Sequence, residues 1–347
     1  MTIIKKDKSV EKMDRLDIAQ GLWFAGFEKD EIEKLCDVNK KDIHQKLKNA
    51  PERLNRFSKL SFDMSDQRIV KKLKNAIFLD IETTPVTVTS FGVGRHNRAG
   101  YSGLQKQNQI TMCSVSYISM YDFLTKGIKD IKNISGVHKE RDGHNYICDK
   151  AITRRLEQVL KDGTEIIAHN ADFDASWIKG RAAINGHMTG NFTKIDTMRL
   201  FRGQRHLCKK LDYLSDIFMG IHKLPTSMSL WNKVLQGDKE ALKYMCKYND
   251  VDVLLMIPLY LIAARFNPIA GVQMNQYESV VPRCSVTGEA LDQNGEHYNP
   301  INGLKYTLYR NEKLNLTYVN RYNTESKKAE KNLIKHIGSQ QISYFTL

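Results

Sequence analysis

At 347 residues with 41% hydrophobic side chains, the chain is long enough for one large domain with attachments and apolar enough for a substantial core. Its net charge of +14 and isoelectric point near 9.3 favour polyanionic partners, nucleic acid first among them. No run approaches the roughly 18 to 20 apolar residues of a bilayer-spanning helix, the amino terminus is charged without an apolar signal core, and the six cysteines show no C-x-x-C pairing. Membrane insertion, export, a disulfide framework and an intact zinc-binding set are therefore not expected, and a cytoplasmic location is.

Near the amino terminus, Asp17, Ile18, Leu22, Trp23 and Phe24 fit an amphipathic helix that stops at Gly26. Asp30, Ile32, Glu33 and Leu35 fit a second helix, and Ile43 and Leu47, spaced i, i+4, fit a third. The run resembles the helix-turn-helix of phage and transposase regulators, whose last helix enters the major groove. Residues 1–60 are thus expected to form a helix-turn-helix-like module, with Lys40, Lys41, His44, Gln45 and Lys48 able to touch phosphates or base edges of duplex DNA. A three-helix packing unit without a nucleic-acid role is the competing expectation. Residues 50–74 are polar and read as an irregular linker.

Residues 76–85 read A-I-F-L-D-I-E-T-T-P. Ile77, Phe78 and Leu79 have the composition of a buried strand, which Asp80 and Glu82 interrupt two positions apart. Side chains alternate across a strand, so the two carboxylates share one face. Two such groups at the end of a buried strand repel one another and lose hydration, which calls for a compensating cation or strong donors; a solvated strand end is the plainer alternative. After Pro85, V-T-V-T-S-F-G-V-G reads as a strand, residues 95–103 as an exposed basic loop and residues 109–117 as a further strand. Residues 119–146 fit either an insertion or a strand pair.

A helix over residues 151–160 leads through Gly163 to a strand over residues 165–168, and then to A-H-N-A-D-F-D-A-S-W-I-K. Asp172 and Asp174 fall in the first turn of the helix that opens there, where aspartate is favoured as a cap. The cap is assigned to Asp172, leaving Asp174 to face the cavity of Asp80. K-I-D-T-M-R-L-F follows as a strand or edge running into a basic loop, then a helix over residues 211–219 and a long helix over residues 238–264. On the latter, Tyr248 and Asp252 are four apart and share a face, whereas Asp250 points away and is expected to be solvated.

D-I-E on a first strand, H-N-x-x-F-D between a strand and a helix, and Y-N-x-x-D on a late helix together resemble the motif order of the DEDD superfamily of 3′-to-5′ exonucleases. The residue four before the last aspartate is Tyr248, and the position five before, where the histidine branch carries its histidine, is Lys247. The chain therefore looks like the tyrosine branch, and its motif details look most like phage and bacterial members. The resemblance spans about residues 75–265 and implies an α/β, ribonuclease-H-like mixed sheet with flanking helices, here over residues 70–268. It implies Asp80, Glu82, Asp174 and Asp252 as ligands of two divalent cations, Mg2+ or Mn2+, and Tyr248 as the residue that positions the attacking water. Thr83, Asn170, Phe173, Arg199 and Arg202 are the candidate contacts to the substrate strand, with Trp177 beside them; core packing competes for both aromatics.

Residues 270–347 read as a β-rich appendage with a basic tail. Its hairpins resemble a zinc ribbon, but only Cys284 stands where four ligands are needed, so no zinc is expected. The expected function is metal-dependent 3′-to-5′ hydrolysis of single-stranded DNA or RNA ends, DNA favoured. The alternatives are a structure-selective endonuclease of the same fold, or one for another phosphodiester, and a non-catalytic nucleic-acid-binding regulator.

Overall fold

The computed structural model describes residues 8–84, 111–141, 144–202, 204–275, 281–298, 305–321 and 335–336. The strand expected after Pro85 and the basic loop at residues 95–103 lie outside them. The chain opens with α1 (Lys8–Phe24), α2 (Lys29–Cys36), α3 (Lys40–Lys48) and α4 (Gln67–Asn75). Then come β1 (Ala76–Thr83), β2 (Met112–Ser119), α5 (Met120–Lys126), β3 (Lys132–Ser135) and a ribbon of β4 (Val137–Arg141) with β5 (His144–Cys148). They are followed by α6 (Lys150–Val159), β6 (Glu165–Ala168), α7 (Ala171–Ile184), β7 (Thr193–Asp196), α8 (Thr197–Leu200), α9 (Leu211–Met219), α10 (Met228–Leu235) and α11 (Lys239–Ala263). The last elements are β8 (Asp292–Tyr298), β9 (Lys305–Asn311), β10 (Leu316–Arg321) and β11 (Lys335–His336).

The central sheet has strand order β3-β2-β1-β6-β7. β3, β2 and β1 pair antiparallel and β1, β6 and β7 pair parallel, so the sheet is mixed with a parallel core, as expected. Alternation along β1 sorts its side chains between two cores. Ile77, Leu79 and Ile81 pack with Ile152 and Leu156 of α6 and Ala175 and Ile178 of α7. Ala76 and Phe78 point the other way, toward α11, where Phe78 meets Tyr260 edge to face at 5.5 Å. Asp80 and Glu82 continue that second series, which carries both carboxylates to the α11 side at the strand's end.

The residues 50–74 taken for a linker include α4, whose Asp66 cap accepts the Arg68 amide at 2.9 Å and whose Ile69, Val70 and Leu73 are buried. Residues 119–146 resolve into α5, β3 and the β4–β5 ribbon, and K-I-D-T-M-R-L-F into β7 followed by α8. The first three helices contribute Ile18, Leu22, Ile32 and Ile43 to the same core as α11. Gly21 permits that approach, since a Cβ there would lie 2.9 Å from Cγ of Pro258 in α11. A four-stranded sheet, β11-β10-β9-β8, forms the carboxy-terminal part, and Cys284, Val286, Leu316 and Tyr318 join the same core. Among the described residues no helix is long and apolar enough to cross a membrane.

Candidate metal centre

β6 pairs with β1 only as far as Phe78 and then leaves the sheet at Asn170, which adopts a left-handed conformation (φ 67°) and opens α7. The amide of Ile81, beyond the last paired residue, is met instead by Asp174 Oδ1 at 3.2 Å. Asp174 is thereby fixed between the positions of Asp80 and Glu82 while staying almost wholly buried. Across β1, the sheet slips register between Glu82 and Thr83, a bulge of the kind that re-aims side chains beside functional sites.

α11 supplies the opposite wall. Asp252 is buried, and carboxylate oxygens of Asp80, Glu82 and Asp252 all lie within 4.8 Å of one another. Asp174 stands just outside this triad, with one oxygen on the Ile81 amide, yet its charge still acts on Asp80 and Glu82. Burial first, then Asp174, Asp252 and Glu82, push the Asp80 carboxyl well above the ordinary range. Burial and the Asp252 charge lift Glu82 to about 8, and burial lifts Asp174 to about 7. Tyr248 lies one turn before Asp252, its ring edge to face with Trp231 at 6.3 Å, and burial followed by the Asp252 charge raises its hydroxyl to about 12.

Lys223 is a member of this site that no sequence motif announces. Asp252 Oδ2 pairs with its ammonium, which also lies 4.8 Å from the centre of the Tyr248 ring. Burial would lower the Lys223 pKa, but Asp252 and Tyr248 outweigh it and keep the ammonium charged. The loop that presents it is anchored locally. Gly220 ends α9 in a left-handed conformation (φ 65°), Ile221 is buried, and the Lys223 amide donates to Asp212 Oδ1 at 2.8 Å. A lysine in an aperiodic loop carries no periodic signal, which is why sequence patterning passes over it.

The donor set suits a hard cation: four carboxylates from three elements, oxygen ligands only. One further observation fits. Asp252 Oδ1 is buried and has no hydrogen-bond partner among the described residues, an unsatisfied acceptor on one of the clustered carboxylates. Asp80, Glu82 and Asp252, with Asp174 beside them, can therefore hold a divalent ion.

Two assignments made from sequence are corrected here. Asp172 does not cap α7; Asn170 occupies the cap position, and the exposed Asp172 carboxylate pairs with Lys194 and with Arg199, the latter at 3.1 Å. Asp250 is not solvated: it accepts from Ser116 Oγ at 2.7 Å and Asn133 Nδ2 at 3.0 Å. Of the candidate strand contacts, Thr83 is half-buried beside the bulge, Asn170 and Arg202 are exposed, and Arg199 is exposed but paired. Phe173 is 43% exposed, and its ring stands 6.2 Å from that of Trp177, which is half-buried against the α6–α7 core. On α3, Lys41, His44, Gln45 and Lys48 face solvent, whereas Lys40 pairs with Asp30 and Lys46 with Asp17.

No protein-family model matches the chain, and no curated protein matches its sequence. A mixed sheet with a parallel core and an acidic triad at the end of its first strand is compatible with a ribonuclease-H-like fold.

Proposed function

We propose that the protein is a metal-dependent 3′-to-5′ exonuclease that hydrolyses phosphodiester bonds at nucleic-acid ends, DNA favoured. The observation that carries this reading is the convergence of Asp80, Glu82 and Asp252 within 4.8 Å, with Asp174 and Tyr248 adjoining. These are the residues that the resemblance to the tyrosine-branch exonucleases marks. Attack from a 3′ end is what that resemblance adds to the geometry.

Divalent ions bound by these carboxylates, two in the reading adopted here, would make hydroxide available near neutral pH and offset charge on the phosphorane. The chain's own groups do the rest. With its hydroxyl raised to about 12, Tyr248 stays protonated at neutral pH and orients a water by hydrogen bonding rather than removing its proton. Lys223 holds positive charge beside Asp252 and Tyr248, where an anionic phosphate must be accommodated. Phe173, exposed one residue before Asp174, offers a face for a terminal base, and Arg202 an exposed charge for the backbone.

The test is digestion of 5′-labelled single strands carrying a blocking group at one end or the other. A ladder shortening one nucleotide at a time, stopped by a 3′ block and indifferent to a 5′ block, is the expected result. Internal cuts that ignore both blocks would replace the exonuclease reading with an endonuclease one.

A further inference from the structure

Behind the acidic cluster lies a buried polar layer that catalysis, as read above, does not use. Asp80 on β1 is in register with Ser116 on β2, and Ser116 with Asn133 on β3; one step along, Glu82, Ser114 and Ser135 form a second such row. Ser114 and Ser116 have no exposed surface, and neither does Asn249 of α11. Burial of so much polarity is unfavourable unless every group is paired, and here the pairing has a direction.

Asn249 Nδ2 donates to Asp80 Oδ2 at 2.6 Å, and Asn249 Oδ1 accepts from Ser114 Oγ at 3.0 Å. Ser114 Oγ in turn accepts from Asn133 Nδ2 at 3.1 Å. The ionised carboxylate that would bind a cation only accepts, so the Asn249 amide turns its NH2 toward Asp80 and its oxygen toward the Ser114 hydroxyl, which donates to it. The same Asn133 amide nitrogen, which has two hydrogens to give, also lies 2.6 Å from Ser116 Oγ, 3.0 Å from Asp250 Oδ1 and 3.1 Å from the Cys246 carbonyl, which ties β3 to β2 and to α11 on either side of Tyr248.

We propose that Asn249 is the positioning residue of the metal centre: oriented by Ser114, it holds Asp80 Oδ2 and leaves Oδ1 for the cation. The inference rests on the metal-centre reading given above. It assigns Asn249 a task distinct from core packing, because the bond to Asp80 fixes that carboxylate's rotation relative to Glu82 beside it and Asp252 opposite. Outer hydrogen-bond partners of this kind are worth about 10- to 100-fold in metal affinity.

The experiment is a Mn2+ titration of wild type, Asn249→Ala and Ser114→Ala followed by electron paramagnetic resonance, with unfolding midpoints in chelator and nuclease kinetics on the same samples. Asn249→Ala is expected to raise the Mn2+ dissociation constant by about 10-fold or more. It should also lower kcat while KM for the oligonucleotide is retained. Ser114→Ala, which keeps the amide but frees it to turn over, is expected to fall between Asn249→Ala and wild type and serves alone if Asn249→Ala does not fold. Unchanged Mn2+ affinity in folded variants, whatever their midpoints, would overturn the positioning role and leave the metal centre intact. Absence of Mn2+ binding by wild type would overturn both.

Discussion

Asp252 sits between two opposing demands. One oxygen is held by the Lys223 ammonium, while the other is buried with no hydrogen-bond partner among the described residues. Replacing Lys223 by methionine keeps the stem and removes the charge, and is expected to lower kcat by about 10²-fold, the size of one lost electrostatic contact to developing charge. An unchanged kcat in Lys223→Met would show that the ammonium serves folding alone. The raised carboxyls make a second prediction. In the metal-free chain Glu82 keeps its proton up to about 8 against an ordinary 4.5, so the folded state binds protons that the unfolded chain has released. Its contribution to stability is full below that lower value and is lost as pH rises through about 8. Mn2+ needs the deprotonated form, so its stabilising effect should grow across the same window. Unfolding midpoints in chelator and in Mn2+, from about pH 5 to about pH 9, check both trends. At this scale the clustering of Asp80, Glu82 and Asp252 was legible in part, because strand and helix periods put Asp80 with Glu82 and Tyr248 with Asp252 on shared faces. Lys223 was not, and Asn249 was visible only as part of Y-N-x-x-D. The signal that could have exposed Asn249 is the pair Ser114 and Ser116, spaced two apart in the middle of a mostly apolar strand.

At the level of elements, the site depends on two attachments. The first joins α6, α7 and β2. Asp149 accepts from Arg181 Nε at 2.6 Å, from the half-buried Asn185 Nδ2 at 2.7 Å and from the Met112 amide at 3.1 Å, and Asp149, Arg181 and Met112 are buried. Removing one partner of a buried ion pair strands the other, so Asp149→Ala is expected to lower stability by about 3–5 kcal/mol, read from the chemical-denaturation midpoint. A loss under about 1 kcal/mol would mean that the pair contributes no more than a surface bridge. The second attachment seats α1 on α9 and α11. Gln20 Nε2 donates to the Met219 carbonyl at 2.7 Å, and Gly21 lies against Pro258. Gly21→Val should overpack this contact at a cost of about 1–3 kcal/mol, and a thermal midpoint at or above wild type would count against it. The helices over residues 211–219 and 239–263 were readable from their apolar faces and their terminators. α4 was hidden because Lys71, Lys72 and Lys74 crowd a segment of only nine residues. α7 was located correctly but its first turn was misread, since Asn170, in a left-handed conformation, takes the capping place assigned to Asp172.

Over the whole molecule, the sheet and α11 bring into one cluster acidic groups that stand 172 positions apart in the chain, from Asp80 to Asp252. The chain carries a net charge of +14 while its centre gathers carboxyl groups, a combination suited to drawing in a polyanion and then needing cations at the point of chemistry. The first three helices and the carboxy-terminal sheet share the α11 core, a joining that local periodicity could not disclose, because it depends on contacts such as Gly21 with Pro258 across the chain. The most direct measurement is incubation of wild type and Asp80→Ala with 5′-labelled single-stranded DNA and RNA in Mg2+, Mn2+ or chelator. Cleavage by wild type only with a divalent ion, abolished in folded Asp80→Ala, is the predicted result. Wild-type cleavage in chelator, or wild-type turnover by Asp80→Ala, would contradict a nuclease built on this acidic cluster.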